Sequence, residues 1–569
     1  MPNFTSTSAK PHRFVPAGFN PADPAAVATM YDLLDERELP TRQALEDFIL
    51  DWQELGAVLE QEYVVAYVDM TADTSNEERE ARYIAFLDNI LPVKEQRDFN
   101  VKQKIAASPA VDELGPQYEV LLRNLKSEVS LFREENVPLL MEDLKLGQEY
   151  EKISGNETAE FQGKTYTLTQ LRPFLEEPDR SVREGAWRAR LGVRLSDAAA
   201  FDEMFDKMYE VRQQIARNAG FDNYRDYKFR EYKRFDYTPE DCMAFHAAVE
   251  KHIVPFMVRD RERRRKLLGV ETIRPWDTEV DPEGRQPLRP FENVEQLKEG
   301  GLRVVRQVDP QLGEFLETMV RDGLLDLENR PGKAPGAYCQ SFADSRVPYI
   351  HMNAVGIKDD VTTLLHEGGH AFHYFLAREQ PLHSYHFAGM EFEEVGSMSM
   401  ELLARPYLGE FYSEEELDRL LDDQLRGVLS GMPWIAMLDL FQHWVYTAED
   451  HGPEARRAKW REIEQRFRPD LDWSGIEQYR DIGWQYLHVF VVPFYYIEYG
   501  IAQIAALQVW LRSLEDPQGA IEAYKRGLSL GGSRPLPELF AAAGAEFDMG
   551  DKVVGMVTEK TVAQIKHKN

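Results

Sequence analysis

Cysteine is nearly absent from this chain. Two residues, Cys242 and Cys339, occur among 569. Two thiols build neither a disulfide framework nor a four-thiolate metal site, and such sparing use fits a reducing compartment. Long apolar runs are missing as well. The most apolar stretch, Tyr486–Leu511, is broken by His488, Pro493, Glu498, Gln503 and Gln508. That pattern predicts a buried helical core and no membrane span. The first twenty residues hold no apolar segment of the secretory kind, so a loose polar lead-in and a cytoplasmic location are expected. Positive charge is in deficit: 67 lysines and arginines stand against 98 aspartates and glutamates, a net −31. Such a surface repels polyanions, which argues against a nucleic-acid partner, and serves chiefly solubility. Neither an internal repeat nor a low-complexity stretch is found.

What is present is the composition of a globular protein, 43% apolar and 29% charged, on a chain long enough for several structural units. Most of it reads helical. Tyr31, Leu34, Leu45, Phe48, Ile49 and Trp52 recur at three- and four-residue spacing, and residues 76–152 continue as charged amphipathic helix. Gln162-Gly163 between β-prone residues predicts a small hairpin or loop. A second hairpin is expected from Tyr338–Phe342 and Val347–Asn353, after the break at residues 329–337. Asp359-Asp360 then stands where a helix N-cap belongs.

The next stretch, Val361–Tyr374, reads VTTLLHEGGHAFHY and contains His366-Glu367-Gly368-Gly369-His370. A helix turns about 100° per residue, so residues four apart share a face. Two imidazoles are thereby offered to one metal ion, with a carboxylate beside the first that can reach a metal-bound water. The flanking Val361, Leu364, Leu365, Ala371, Phe372 and Phe375 predict burial, where ionisable groups need a partner or a metal. Gly368 and Gly369 weaken the helix but admit a close neighbour.

A zinc hydrolase uses three protein ligands and a water. Candidates for the third are His373, His383, His386, Glu391, Glu393 and Glu394. His373 is seven residues from His366, about 10 Å along the axis, too far to share an ion. Met390–Leu403 looks like a second helix that lays one carboxylate against the first. Glu394 and Glu401 share a face of it, so if Glu394 binds metal, Glu401 is placed to accept a hydrogen bond from a ligand imidazole. Spacing alone does not separate Glu394 from its glutamate neighbours.

Three blocks in this order resemble the thimet oligopeptidase family, most closely its oligoendopeptidase F branch. They are Pro348–Asn353 with Asp360–Ala371, then Glu393–Met398, then His488 with Pro493–Gly500. Weaker likeness extends the match to roughly residues 120 to 560. Gly368 departs from the branch, which usually carries a larger residue there. The resemblance implies a mainly α, two-lobed zincin-like metallopeptidase with a small β-sheet beside the active-site helix and a deep substrate channel. The expected domains are a flexible lead-in over residues 1–20, an N-terminal helical lobe over 21–200 and a catalytic domain over 201–569.

The resemblance also implies one zinc per chain on His366, His370 and Glu394, and roles for His488, Tyr496 and Tyr499 in stabilising an oxyanion. Glu367 is the expected general base, acting on water acidified by zinc. Tyr349, His351 and Asn353 lie on a strand expected to be a sheet edge, where an extended peptide adds through main-chain hydrogen bonds. The expected substrates are short peptides, cut at internal bonds, and both a monomer and a homodimer are compatible with this. Two other readings are a zinc carboxypeptidase on a related scaffold and a peptide-binding protein without catalysis. Glu367 speaks against the latter, because a binder has no use for a base beside two zinc ligands.

Overall fold

The computed structural model describes residues 10–566. Helices dominate, as the spacing of apolar residues predicts, and the strands among the described residues form two small sheets. Among the described residues, no helix is long and apolar enough to cross a membrane. Contacts divide the chain into two compact units, each drawn from three stretches of sequence. The first is Met1–Ser130, Leu288–Arg419 and Ala502–Phe547; the second is Leu131–Pro287, Leu420–Ile501 and Asp548–Asn569.

In the first unit the 31-residue helix Arg42–Ala72 starts where the Thr41 hydroxyl accepts from the Ala44 amide at 3.3 Å. Its face of Leu45, Phe48, Ile49, Leu55 and Leu59 is buried against Tyr31 and Leu34. Within this core the buried Asp98 accepts from the Tyr31 hydroxyl, the Trp52 indole and the Lys94 ammonium at 2.6–2.8 Å, so its charge is compensated. Of the lead-in expected over residues 1–20, residues 1–9 lie outside the described residues. The amides of Arg13, Phe14 and Val15 donate to Glu54, which ties that part of the chain to the long helix.

A three-stranded sheet also belongs to this unit. We name its strands after a hairpin in the second unit, β1 (Thr158–Phe161) and β2 (Lys164–Thr167). Gln162 and Gly163 take positive φ at that hairpin's turn, a conformation natural to glycine and uncommon for glutamine. The sheet is β3 (Leu325–Glu328), β4 (Tyr338–Phe342) and β5 (Val347–Ala354), in the order β3-β5-β4. The β4–β5 hairpin matches the sequence expectation. The position of β5 does not. It is the central strand, parallel to β3 on one side and antiparallel to β4 on the other, so Tyr349, His351 and Asn353 do not form a free edge. The cause is Leu325–Glu328, a four-residue segment with little strand signal that occupies the second side. Burial along β5 is nearly continuous, as a covered central strand requires.

In the second unit, buried arginines hold separate stretches of chain together. Arg212, on the helix Arg180–Asn218, pairs with Asp143 and donates to the Tyr446 hydroxyl and to the carbonyls of Val489 and Phe490. Arg234 donates to the Phe494 carbonyl and to Glu498. Gln442 Oε1 accepts from the Phe494 amide at 2.7 Å. Phe494 has φ +67°, a strained value for a bulky residue, and these bonds hold it there.

Candidate metal centre

The pentad lies in the helix Lys358–Ala377 of the first unit. Asp360 starts this helix from within its first turn, not as the N-cap. Its carboxylate accepts from the amides of Val355, Gly356 and Ile357 at 2.8–2.9 Å. Val361, Leu364, Leu365, Ala371, Phe372 and Phe375 are buried, while His366 and His370 keep side-chain exposures of 26% and 19%. The two rings lie 5.0 Å apart, centroid to centroid.

The helix Met390–Leu403 packs against the pentad helix. Contact is backbone to backbone at Gly369, where any Cβ would collide with Gly396 and Ser397. This brings Glu394 Oε2 to 3.4 Å from His366 Nε2 and 3.8 Å from His370 Nε2. The donor atoms of the three residues all lie within 4.8 Å of one another. Two imidazoles and one carboxylate are a donor set that suits zinc.

Other groups orient these three. Glu401 Oε1 lies 2.7 Å from His366 Nδ1, which leaves Nε2 to face Glu394. Ser397, for which the sequence offers no signal beyond standing three residues after Glu394, donates to Glu394 Oε2 at 2.8 Å. Glu393 lies behind His370, with Oε2 4.0 Å from His370 Nδ1. It accepts from the Ala388 amide at 2.7 Å and lies 3.2 Å from His373 Nδ1. His383 faces Glu60 at 2.8 Å, and His386 faces the Gln380 carbonyl at 3.2 Å.

The electrostatics follow from crowding charge in a buried place. Burial, reinforced by the nearby Glu394 and Glu401, pushes the Glu367 carboxyl up to about 7, against the opposing effect of His366. Burial also raises Glu394. It opposes charge on His366, but the bond to Glu401 and the surrounding carboxylates prevail and raise that imidazole to about 9. His370, buried beside a charged neighbour, falls to about 3. Three carboxylates around two imidazoles make a place that favours a cation.

Tyr349 and His351 are buried, and His351 Nε2 meets the Ala334 carbonyl at 3.0 Å while its ring stacks on Tyr338. The Asn353 amide donates to the carbonyls of Ala334 and Gly336. These contacts hold the chain leading into β4. In the second unit, His488, Tyr496 and Tyr499 form one aromatic group, with centroids 4.5 Å apart for His488 and Tyr496 and 5.5 Å for the two tyrosines. Tyr496 immediately precedes the helix Ile497–Glu515. Burial lowers His488 to about 4 and raises the Tyr496 phenol, so near neutrality the phenol keeps its proton and can donate.

Known proteins resemble this chain in sequence and in fold. The chain is 23% identical over 403 residues to oligopeptidase PepF of Bacillus subtilis (strain 168), covering 66% of this chain and 55% of that protein. It is 23% identical over 404 residues to an oligoendopeptidase F homolog of Lactococcus lactis subsp. lactis (strain IL1403), covering 66% and 62%. The matched region thus spans under two thirds of those curated relatives. The solved structure of PZ peptidase A with an inhibitor superposes with a TM-score of 0.85 at 28% identity, covering all of both chains. Residues 174–554 match the model of peptidase family M3, and the chain belongs to that family.

Proposed function

We propose that this protein is a zinc-dependent endopeptidase that hydrolyses internal bonds of short peptides. The observation that carries the proposal is the Glu394 carboxylate 3.4 and 3.8 Å from the two pentad imidazoles, with Glu367 on the same helical turn. Family membership implies a metal ion, and His366, His370 and Glu394 are the residues that would hold one zinc. Bound there, zinc supplies Lewis acidity, acidifying water and polarising a carbonyl. Glu367 takes the proton from water as general base and returns it to the leaving amine. Glu401 and Ser397 keep His366 and Glu394 in orientation. Oxyanion donation by Tyr496 and Tyr499, with His488, is carried over from the family resemblance alone.

The peptide is reassigned from β5 to β4, whose outer side faces no other strand among those described. Pro348 has no N–H, so its pair with Ser341 is of the non-hydrogen-bonded kind. By alternation, Cys339 and Ser341 turn their backbone groups outward, where an extended peptide can add. The strand passes near the base: burial, aided by the charges of Glu367 and Glu393, holds the Cys339 thiol protonated. A cytoplasmic location belongs to the same reading, and neither cysteine is in a disulfide.

The test is cleavage of one peptide in two forms, blocked at both termini and free at both. An endopeptidase cuts both forms. Cleavage of the free form alone would instead identify a carboxypeptidase, and cleavage of neither a binding protein.

A further inference from the structure

A buried cluster in the second unit has no part in the reaction above. The helix Pro239–Ala248 carries Cys242 and His246, and the helix Glu414–Val445 carries Asp439 and His443. Each pair is four residues apart, so each helix presents two side chains on one face. One helix thus offers a thiol and an imidazole, the other a carboxylate and an imidazole. The structure turns these faces together. The donor atoms of Cys242, Asp439 and His443 all lie within 4.8 Å of one another. Asp439 Oδ2 is 2.8 Å from His246 Nε2 and 3.2 Å from His443 Nε2. Exposure is 0% for Cys242 and Asp439, 1% for His246 and 3% for His443.

Hydrogen bonding leaves several carboxylate and imidazole atoms of this cluster unpaired. Among the described residues, Asp439 Oδ1, His443 Nδ1 and His246 Nδ1 are buried without a hydrogen-bond partner. The only ion-pair partners of Asp439 among them are the two imidazoles. Phe229 and Phe494 flank His443 at 5.8 and 5.5 Å, and Phe245 lies 6.1 Å from His246, so aromatic rings line the cluster. Polar atoms left unpaired in such a place are costly.

We propose that this cluster is a second divalent-metal site, of the zinc class, with Cys242, Asp439 and His443 as ligands. His246 holds the Asp439 carboxylate in orientation. A thiolate, a carboxylate and a neutral imidazole carry two negative charges, and a divalent cation brings the sum to zero, which burial favours. On binding, the Cys242 thiol releases its proton to solvent and the sulfur lone pair forms the bond to the metal. Thiolate and imidazole together select zinc over calcium or magnesium. The second oxygen of Asp439 can bring the donors to four. The role is structural: the helix that carries Asp439 and His443 also carries Gln442, which holds the strained Phe494 just ahead of Tyr496 and Tyr499.

The purified full-length protein, reloaded with cobalt(II), tests this. The proposed catalytic centre has no sulfur ligand, so a near-ultraviolet thiolate-to-cobalt band reports only on the new site. The band is expected in the wild type and in Cys339→Ser, and its loss is expected in Cys242→Ser. Metal analysis is expected to give two zinc ions per chain, falling to one in Cys242→Ser and, independently, to one in Glu394→Ala. If Cys242→Ser does not fold, His443→Asn serves in its place. A wild-type protein with no thiolate band under excess cobalt overturns the proposal without touching the catalytic reading, and shows an Asp–His cluster that holds no metal.

Discussion

A Cβ on Gly369 would stand 2.5 Å from the Cα of Ser397. It would also stand 2.6 Å from the Gly396 carbonyl oxygen. The missing side chain is what lets the two helices of the candidate metal centre meet, and that meeting carries Glu394 to the imidazoles. Gly369→Ala is expected to cost about 1–3 kcal/mol by overpacking and to weaken zinc retention. Gly368, its neighbour, would meet only the Phe372 ring at 3.6 Å, an ordinary contact. Gly368→Ala is therefore expected to keep zinc and to gain up to about 1 kcal/mol from helix propensity. Thermal melting and metal analysis of the two variants check the contrast, and equal behaviour would contradict it.

Glu401 meets His366 at Nδ1, so any effect of it on the proposed zinc site passes through that imidazole. Removing it in Glu401→Ala takes away the acceptor at Nδ1 and is expected to weaken metal affinity about 10–100-fold. Peptide cleavage then falls at limiting zinc and recovers at excess. A titration in zinc buffers reads this directly, and an unchanged affinity would remove Glu401 from the account.

Glu367→Gln separates metal binding from proton transfer. The variant is expected to retain zinc and to lose about 10²–10⁴-fold or more in turnover. Metal content and single-turnover cleavage measured on the same preparation decide the point.

How much of this was open to a reader of the sequence depends on range. His366 and His370 are legible because one helical turn relates them and apolar residues flank them. Asp360 is legible as a helix-start signal, although it works from inside the first turn. Choosing among Glu391, Glu393 and Glu394 needs the packing of two helices, because adjacent glutamates point about 100° apart. The family resemblance implied Glu394, and in the structure Glu393 is turned to His373. Ser397 is one serine among many. The central place of β5 was hidden because its second neighbour, Leu325–Glu328, is short and pairs in parallel, a contact with no local signature. The pairing of Cys242 and His246 with Asp439 and His443 spans about 200 residues, so only the fold reveals it.

Glu157 gives a pH-dependent prediction. It is buried, with one carboxylate oxygen lacking a hydrogen bond and the other 3.3 Å from Arg194 Nε. Burial raises its carboxyl to about 7, against an ordinary value of 4.5. The native state therefore holds this proton more tightly than the unfolded chain does. Its contribution is fully present below pH 4.5, falls as pH rises towards 7 and is lost above that. Glu157→Gln, which stays neutral, is expected to be more stable than the wild type by about 1–3 kcal/mol at pH 8 and equal to it at pH 4. Urea unfolding at the two pH values measures the difference, and a variant less stable at pH 8 would contradict it.

The most direct measurement is cleavage of a doubly blocked peptide, followed by mass spectrometry, by protein stripped of metal and then resupplied with zinc. Stripping is expected to abolish cleavage and zinc to restore it in the wild type, while Glu394→Ala stays inactive at the same zinc concentration. Undiminished cleavage by the metal-free protein, or full activity in Glu394→Ala, would contradict a reaction built on His366, His370 and Glu394.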